Sequence, residues 1–192
     1  MAPIYETSRA GSQAVTVRPA RASDLDPVLT IRNHAIEHGT ALWTDTPQTR
    51  DEGAAWLGDH LGRGSAFVAE HAGTVVGFAV YGPWKAYSGF RHTVENSVYV
   101  ADGRHGLGIG SALLSTLVAA ARAADLHVMI AGIEASNAAS VRLHERHGFE
   151  HAGTVREVGR KFGRWLDLTL MRLPLDGPDR DGFAGQRMGD TD

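Results

Sequence analysis

Cysteine is absent from this chain of 192 residues. Its absence excludes disulfides, thiolate metal sites and any covalent route through a cysteine nucleophile, and it suits a reducing cytoplasm. Long hydrophobic runs are missing as well, since no stretch approaches the roughly 18 apolar residues of a membrane span. The first residues, "MAPIYETSRAGSQ", lack a basic start followed by an apolar segment, so no secretory signal is expected. There is no excess of positive charge either: 19 Lys and Arg face 22 Asp and Glu, a formal net charge of −3. That balance argues against a general binder of nucleic acid or of acidic membranes. Ten histidines are present, but no pair has convincing metal-ligand context, so no metal is expected. The length allows one well-buried domain and is short for two.

What remains is a chain with clear periodicities. The tails, residues 1–13 and 176–192, are polar, rich in glycine at the C-terminal end and without period, and are expected to be flexible. Between them, residues 14–175 read as a single domain. "AVTVRPA" alternates like a first strand. "SDLDPVLTIRNHAIEHG" reads as a helix capped by Ser23, with Leu25, Val28, Leu29 and Ile36 on one face and Gly39 ending it. A second helix is expected from Thr49 to about Leu61. "SAFVAEHAGTVVGFAVYGPW" reads as a hairpin turning at His71–Gly73. "RHTVENSVYVA" is a strand and a helix follows from about Gly108 to Ala124. "HVMIAGIEA" is a buried strand, and "NAASVRLHERHGF" a short helix capped by Asn137 and stopped at Gly148. "EHAGTVREVG" and "WLDLTLMRL" close the chain as paired strands. The order β-α-α-β-β-β-α-β-α-β-β predicts an α/β (α+β) fold, a mixed sheet flanked by helices.

"RHGLGIGSALL", residues 104–114, sets Gly106, Gly108 and Gly110 at alternate positions where a helix begins. Backbone N–H groups at a helix start bind oxyanions, and glycine lets a ligand approach them. A nucleotide P-loop would need a lysine after the last glycine, and the helix here opens Gly-Ser. A dinucleotide fingerprint fails too, because counting from Gly106 its last glycine falls on Ser111, and the acidic residue about 20 positions on, Asp125, precedes the next strand instead of closing it. A pyrophosphate loop or a plain glycine-rich turn remains.

Wider context separates these two. "VENSVYVADGRHGLGIGSALL" followed by "IEASNAASVRLHERHGF" resembles the Gcn5-related N-acetyltransferase superfamily. Within it, "YGPWKAYSGFRHTVENSVYV" and "KFGRWLDLTLM" look like the phosphinothricin and methionine sulfoximine acetyltransferases, over roughly Val15 to Leu173. The resemblance implies that family's mostly antiparallel mixed sheet, acetyl-CoA as co-substrate and a homodimer. It implies acetyl-CoA contacts from Val98, Tyr99 and Val100 of the strand and from Gly106, Leu107, Gly108, Ile109, Gly110 and Ser111 of the loop. Asn137 and Arg146 of the next helix match further contacts. The superfamily's Gln or Arg before the loop falls on His105, with Arg104 one residue earlier, so the guanidinium fork on phosphate is displaced or lost.

Acetyl transfer to an amine requires removal of the ammonium proton, donors for the thioester oxygen and a proton for the departing thiolate. Glu95 stands in a strand otherwise apolar at Val94, Val98 and Val100, either as a surface carboxylate or as a base; the resemblance implies the base. His144 takes the place where the superfamily often has an acidic tyrosine, its plain alternative being a helix-face histidine beside Leu143. His60, His71, His127 and His147 receive no role. The resemblance lines the acceptor site with Lys85, Ala86 and Tyr87, then Glu95, Asn96 and Ser97. Lys85 and Arg91 would pair with an acceptor carboxylate. Trp43, Lys161, Phe162, Arg164 and Trp165 wall the pocket or simply pack. The implied activity is N-acetylation of methionine sulfoximine, methionine sulfone or phosphinothricin, with herbicide or antibiotic resistance as its consequence. Other amines (a peptide N-terminus, a polyamine, an aminoglycoside) are the rival substrates. A non-catalytic acyl-CoA-binding module is the rival class.

Overall fold

The structure, a computed structural model, describes residues 14–175. Both tails predicted from the sequence lie outside the described residues. Strand β1 (Thr16–Pro19) leads through a short 3-10 turn, Ala22–Asp24, into helix α1 (Leu25–His38). Ser23 therefore lies inside the turn and does not cap α1. Asp24 organises this junction instead: its carboxylate accepts from the Arg21 N–H at 2.8 Å and from the Arg18 guanidinium at 2.8 and 2.9 Å. Helix α2 (Arg50–Gly62) starts on a reciprocal cap, Thr49 and Glu52 each satisfying the other's backbone N–H.

Strands β2 (Ala66–His71) and β3 (Thr74–Pro83) form the expected hairpin, and β4 (Thr93–Val100) extends it. Helix α3 (Ile109–Ala123), strand β5 (Val128–Glu134), helix α4 (Ala138–Arg146) and the hairpin of β6 (Glu150–Lys161) and β7 (Arg164–Pro174) complete the chain. The sheet order is β1-β2-β3-β4-β5-β7-β6, antiparallel everywhere except between β4 and β5. The predicted order of helices and strands is the observed one, with two short 3-10 turns added (Ala22–Asp24 and Ser88–Phe90) and element ends shifted, β6 running on to Lys161.

Alternation along the strands splits the interior between the two faces. Phe67, Val76, Met129 and Met171 pack on one face against α3, whose Leu113, Leu114 and Leu117 are fully buried. Val68, Phe78 and Val80 pack on the other against Val28 and Ile31 of α1 and Leu57 of α2. Burying one such leucine is worth about 1.5–3 kcal/mol, so α3 is the main anchor of its layer.

Candidate active site

Strands β4 and β5 pair through only three residues each, Thr93, Val94 and Glu95 opposite Val128, Met129 and Ile130. Beyond Glu95 they part, because β5 stays with β7 while β4 stays with β3. The parting opens a cleft of about 290 Å³ between Glu95–Tyr99 of β4 and Ala131–Glu134 of β5. Asn137, Ser140 and His144 of the α4 region and Ala41 and Leu42 after α1 complete its walls. Where β4 faces the cleft its backbone edge has no strand to pair with, which leaves main-chain donors and acceptors for a ligand.

Pleating sends the side chains of Glu95 and Ser97 to one face of β4 and those of Asn96 and Val98 to the other. Glu95 is open to water at its tip, yet the cleft walls desolvate it enough to raise its pKa, against a downward pull from the Lys85 charge. Room for its carboxylate comes from Gly132, where a Cβ would meet Glu95 Oε1 at 2.9 Å. His144 is buried on the other side, its Nδ1–H donating to the Ser140 carbonyl at 2.8 Å and its Nε2 lying 3.1 Å from Asn96 Oδ1. Its pKa is lowered on balance: burial pushes it down most, the Ser140 bond pushes it up, and His147 adds a smaller downward push.

The glycine loop joins β4 to α3. Gly106 and Gly108 hold φ of +81° and +76°, a left-handed conformation that side chains avoid, and no atom lies within 4 Å of either missing Cβ. Gly108 is the N-cap of α3, so the first N–H groups of that helix open onto the same space. These features fit a pyrophosphate. Gly110 works differently: inside the helix, its missing Cβ would stand 3.3 Å from Leu143 of α4, so it serves close helix packing. Leu107 is exposed and Ile109 is buried in the core, so Ile109 could reach a cofactor only through its backbone. The same holds for Tyr99, whose ring stacks on Phe78 at 4.9 Å. Arg104, His105 and Arg146 are exposed. His147, given no role by the sequence, hydrogen-bonds Ser111 Oγ through Nε2 at 2.8 Å and so ties the end of α4 to the start of α3.

The expected acceptor residues fall in two places. Glu95, Asn96 and Ser97 line the cleft, and the Asn96 side chain is spent on His144 and the Ile130 carbonyl. Lys85, Ala86, Tyr87 and Arg91 line a neighbouring hollow of about 480 Å³ floored by Tyr81, Val94 and Leu126. The Lys85 charge nevertheless reaches Glu95.

One further residue escaped the sequence, and two that it left as wall or packing find their places. Glu134 sits in the cleft with its carboxylate held ionised, against desolvation, by the Ser136 hydroxyl and N–H and by Thr40 Oγ1. Lys161 is buried, and its three ammonium hydrogens go to the carbonyls of Ile36, Gly39 and Leu42 at 2.6, 2.8 and 2.6 Å. The cation thus holds the C-terminal end of α1, where helix carbonyls favour positive charge, and fixes the segment carrying Ala41 and Leu42. Trp43 donates to the Thr40 carbonyl and lies flat on β6, where a Cβ at Gly159 would overlap its ring. Lys161 and Trp43 therefore support the wall from behind, while Phe162, Arg164 and Trp165 are exposed. Among the described residues no cluster of three His, Asp or Glu could hold a metal, and no helix is long and apolar enough to cross a membrane.

A mixed sheet that opens between two parallel strands, with a glycine loop at a helix start, is the arrangement that the resemblance to acetyltransferases implies. The chain matches the Acetyltransferase (GNAT) family over residues 29–149 and belongs to it. It is an N-acetyltransferase by its relatives. It is 47% identical over 165 residues to the L-methionine sulfoximine/L-methionine sulfone acetyltransferase of Pseudomonas aeruginosa, covering 85% of this chain and 96% of that one. It is 41% identical over 169 residues to the phosphinothricin N-acetyltransferase of Streptomyces coelicolor, covering 86% and 99%. The solved structure of an acetyltransferase from Salmonella typhimurium with its cofactor acetyl-CoA superposes with a TM-score of 0.83 at 45% identity, covering 85% of this chain and 95% of that one.

Proposed function

We propose that this enzyme transfers the acetyl group of acetyl-CoA to the α-amine of a small amino-acid analogue: methionine sulfoximine, methionine sulfone or phosphinothricin. The observation that carries the reading is the cleft at the β4–β5 parting, which has Glu95 on one face of the sheet and His144 on the other. Glu95 takes a proton from the substrate ammonium, directly or through a water. The freed amine nitrogen bonds to the thioester carbonyl carbon, and N–H groups of β4 near Val98–Val100 stabilise the oxygen as it gains charge. The carbon–sulfur bond breaks, the thiolate takes a proton from His144, and the nitrogen releases its second proton to solvent as the amide forms. The products are the N-acetyl amino acid and CoA.

Binding follows the same logic. The loop around Gly106–Ser111 and the α3 N-terminus suit the pyrophosphate, with Asn137 and Arg146 as further contacts. Lys85 and Arg91 suit the acceptor carboxylate. With Arg63 they make this side of the molecule cationic, which opposes a polyamine or an aminoglycoside. Acetylation of phosphinothricin would confer resistance to it. We place the reaction in the cytoplasm and in a homodimer. The dimer is supported by the β6–β7 hairpin, where Val155, Val158, Phe162 and Trp165 are 45–61% exposed.

The test is CoA thiol release with methionine sulfone, with the same molecule lacking its carboxylate, and with a polyamine. Fast release with the amino acid alone is expected. Equal efficiency on the decarboxylated amine would overturn the amino-acid reading and leave the acetyltransferase standing.

A further inference from the structure

Both nitrogens of the His144 ring face oxygen atoms. Nδ1 is 2.8 Å from the Ser140 carbonyl, which only accepts, so Nδ1 must carry hydrogen. Nε2 is 3.1 Å from Oδ1 of Asn96. The other end of that amide fixes its orientation, because Nδ2 donates to the Ile130 carbonyl at 3.0 Å. Turned over, the amide would offer Nε2 a donor but would set Oδ1 against the Ile130 oxygen. A neutral ring therefore leaves two acceptors face to face in either orientation. An imidazolium leaves none. Ile130 then accepts from Asn96, Asn96 from Nε2–H, and Ser140 from Nδ1–H.

We propose that Asn96 is a positioning residue that favours a hydrogen on Nε2 of His144 and so opposes the loss of the ring's charge on burial; this rests on the acid role proposed above for His144. The charge has no carboxylate beside it. Glu95 and Glu134 line the same cleft, but Glu134 is committed to Ser136 and Thr40, and Glu95 leans toward Gly132. His147, three residues on at the end of α4, opposes the charge, and Phe149 meets the ring edge-on at 4.9 Å with an apolar surface. Burial opposes it too. An amide suits this setting because it accepts the hydrogen bond without competing for the proton, so the proton remains transferable. In the reaction the Nε2–H bond breaks, the hydrogen bonds to the CoA sulfur, and the ring becomes neutral with its remaining hydrogen on Nδ1. Solvent then returns the proton.

The experiment is an NMR titration of the His144 ring in the full-length protein without ligands, its signals identified by their loss in His144→Gln. The unaltered ring is expected to titrate below the ordinary histidine range, because burial lowers it, yet above the variant that lacks the Asn96 acceptor. Asn96→Leu keeps similar bulk without an acceptor and should lower the ring's proton affinity about tenfold, one pKa unit. Asn96→Asp should raise it by at least as much. A merely structural Asn96 would not move the two variants in opposite directions. A ring that titrates alike in the unaltered protein and in either folded variant would overturn the proposal. If the titrations move as expected while His144→Gln keeps full turnover, the proton-holding role stands and the acid role falls.

Discussion

The carboxylate of Glu95 is harder to ionise where it sits than in water, since desolvation outweighs the pull of Lys85. A base must be deprotonated to act, so activity should be present above its raised pKa and lost as pH falls through it. The acid limb of kcat/KM should thus lie above the ordinary glutamate value of about 4.3. Glu95→Gln should lower turnover by about 100- to 10,000-fold and abolish that limb, with little change in acetyl-CoA affinity. The linkage sign fixes the effect on stability. A carboxylate whose pKa rises on folding opposes folding once ionised, so Glu95→Gln should not lower the melting temperature at neutral pH. Gly132 supplies the matching test from across the cleft. Gly132→Ala would force Oε1 away from its 2.9 Å approach, and that flexible side chain can yield. We expect kcat to drop with the fold intact; unchanged kcat would show that the carboxylate position is not critical.

At the scale of elements, the loop before α3 invites a direct test. Gly108→Val would place a β-branched residue at φ +76°, where L-residues lose roughly 1–2 kcal/mol, and would crowd the helix start. Calorimetry should show weaker acetyl-CoA binding with only a modest fall in melting temperature. Unchanged affinity would remove the loop from the cofactor site. Elements were largely legible in the sequence because each carries its own period and punctuation: Thr49 with Glu52, Asn137 before α4, and Gly148 at φ +83° after it. Ser23 misled because a serine ahead of an apolar period looks like a cap, whereas the salt bridge of Asp24 to Arg18 winds that stretch into a 3-10 turn. The hidden parts of the site are those that depend on distant partners. Lys161 meets Ile36 across 125 positions, and Thr40 meets Glu134 across 94. No local pattern announces such a contact, and Gly132 reads as an ordinary small residue until Glu95 is set opposite it.

For the whole molecule, the two edges of the sheet differ. Strand β1 is four residues long, whereas β6 is twelve and exposed along nearly all of its length. Its register slips twice against β7, between His151 and Gly153 and between Val155 and Gly159, bulges that discourage open-ended pairing. A long exposed hairpin with four large apolar side chains fits a closed partner better than bulk water. Sedimentation should find a dimer, and the double substitution Phe162→Glu and Trp165→Glu should give monomers. A native protein that sediments as a monomer would refute the interface.

Lysine occurs twice in the chain, at 85 and 161. The Lys161 ammonium has each of its hydrogens engaged by a carbonyl and its surface closed to solvent, whereas Lys85 stands exposed at the rim of the hollow proposed for the acceptor. An amine-selective reagent applied to the folded protein therefore meets a single side chain besides the N-terminal amine. Covalent tagging that would scatter over most proteins becomes addressable here, and protection of Lys85 from the reagent by a bound amino acid would report occupancy of the proposed acceptor site without any engineered handle.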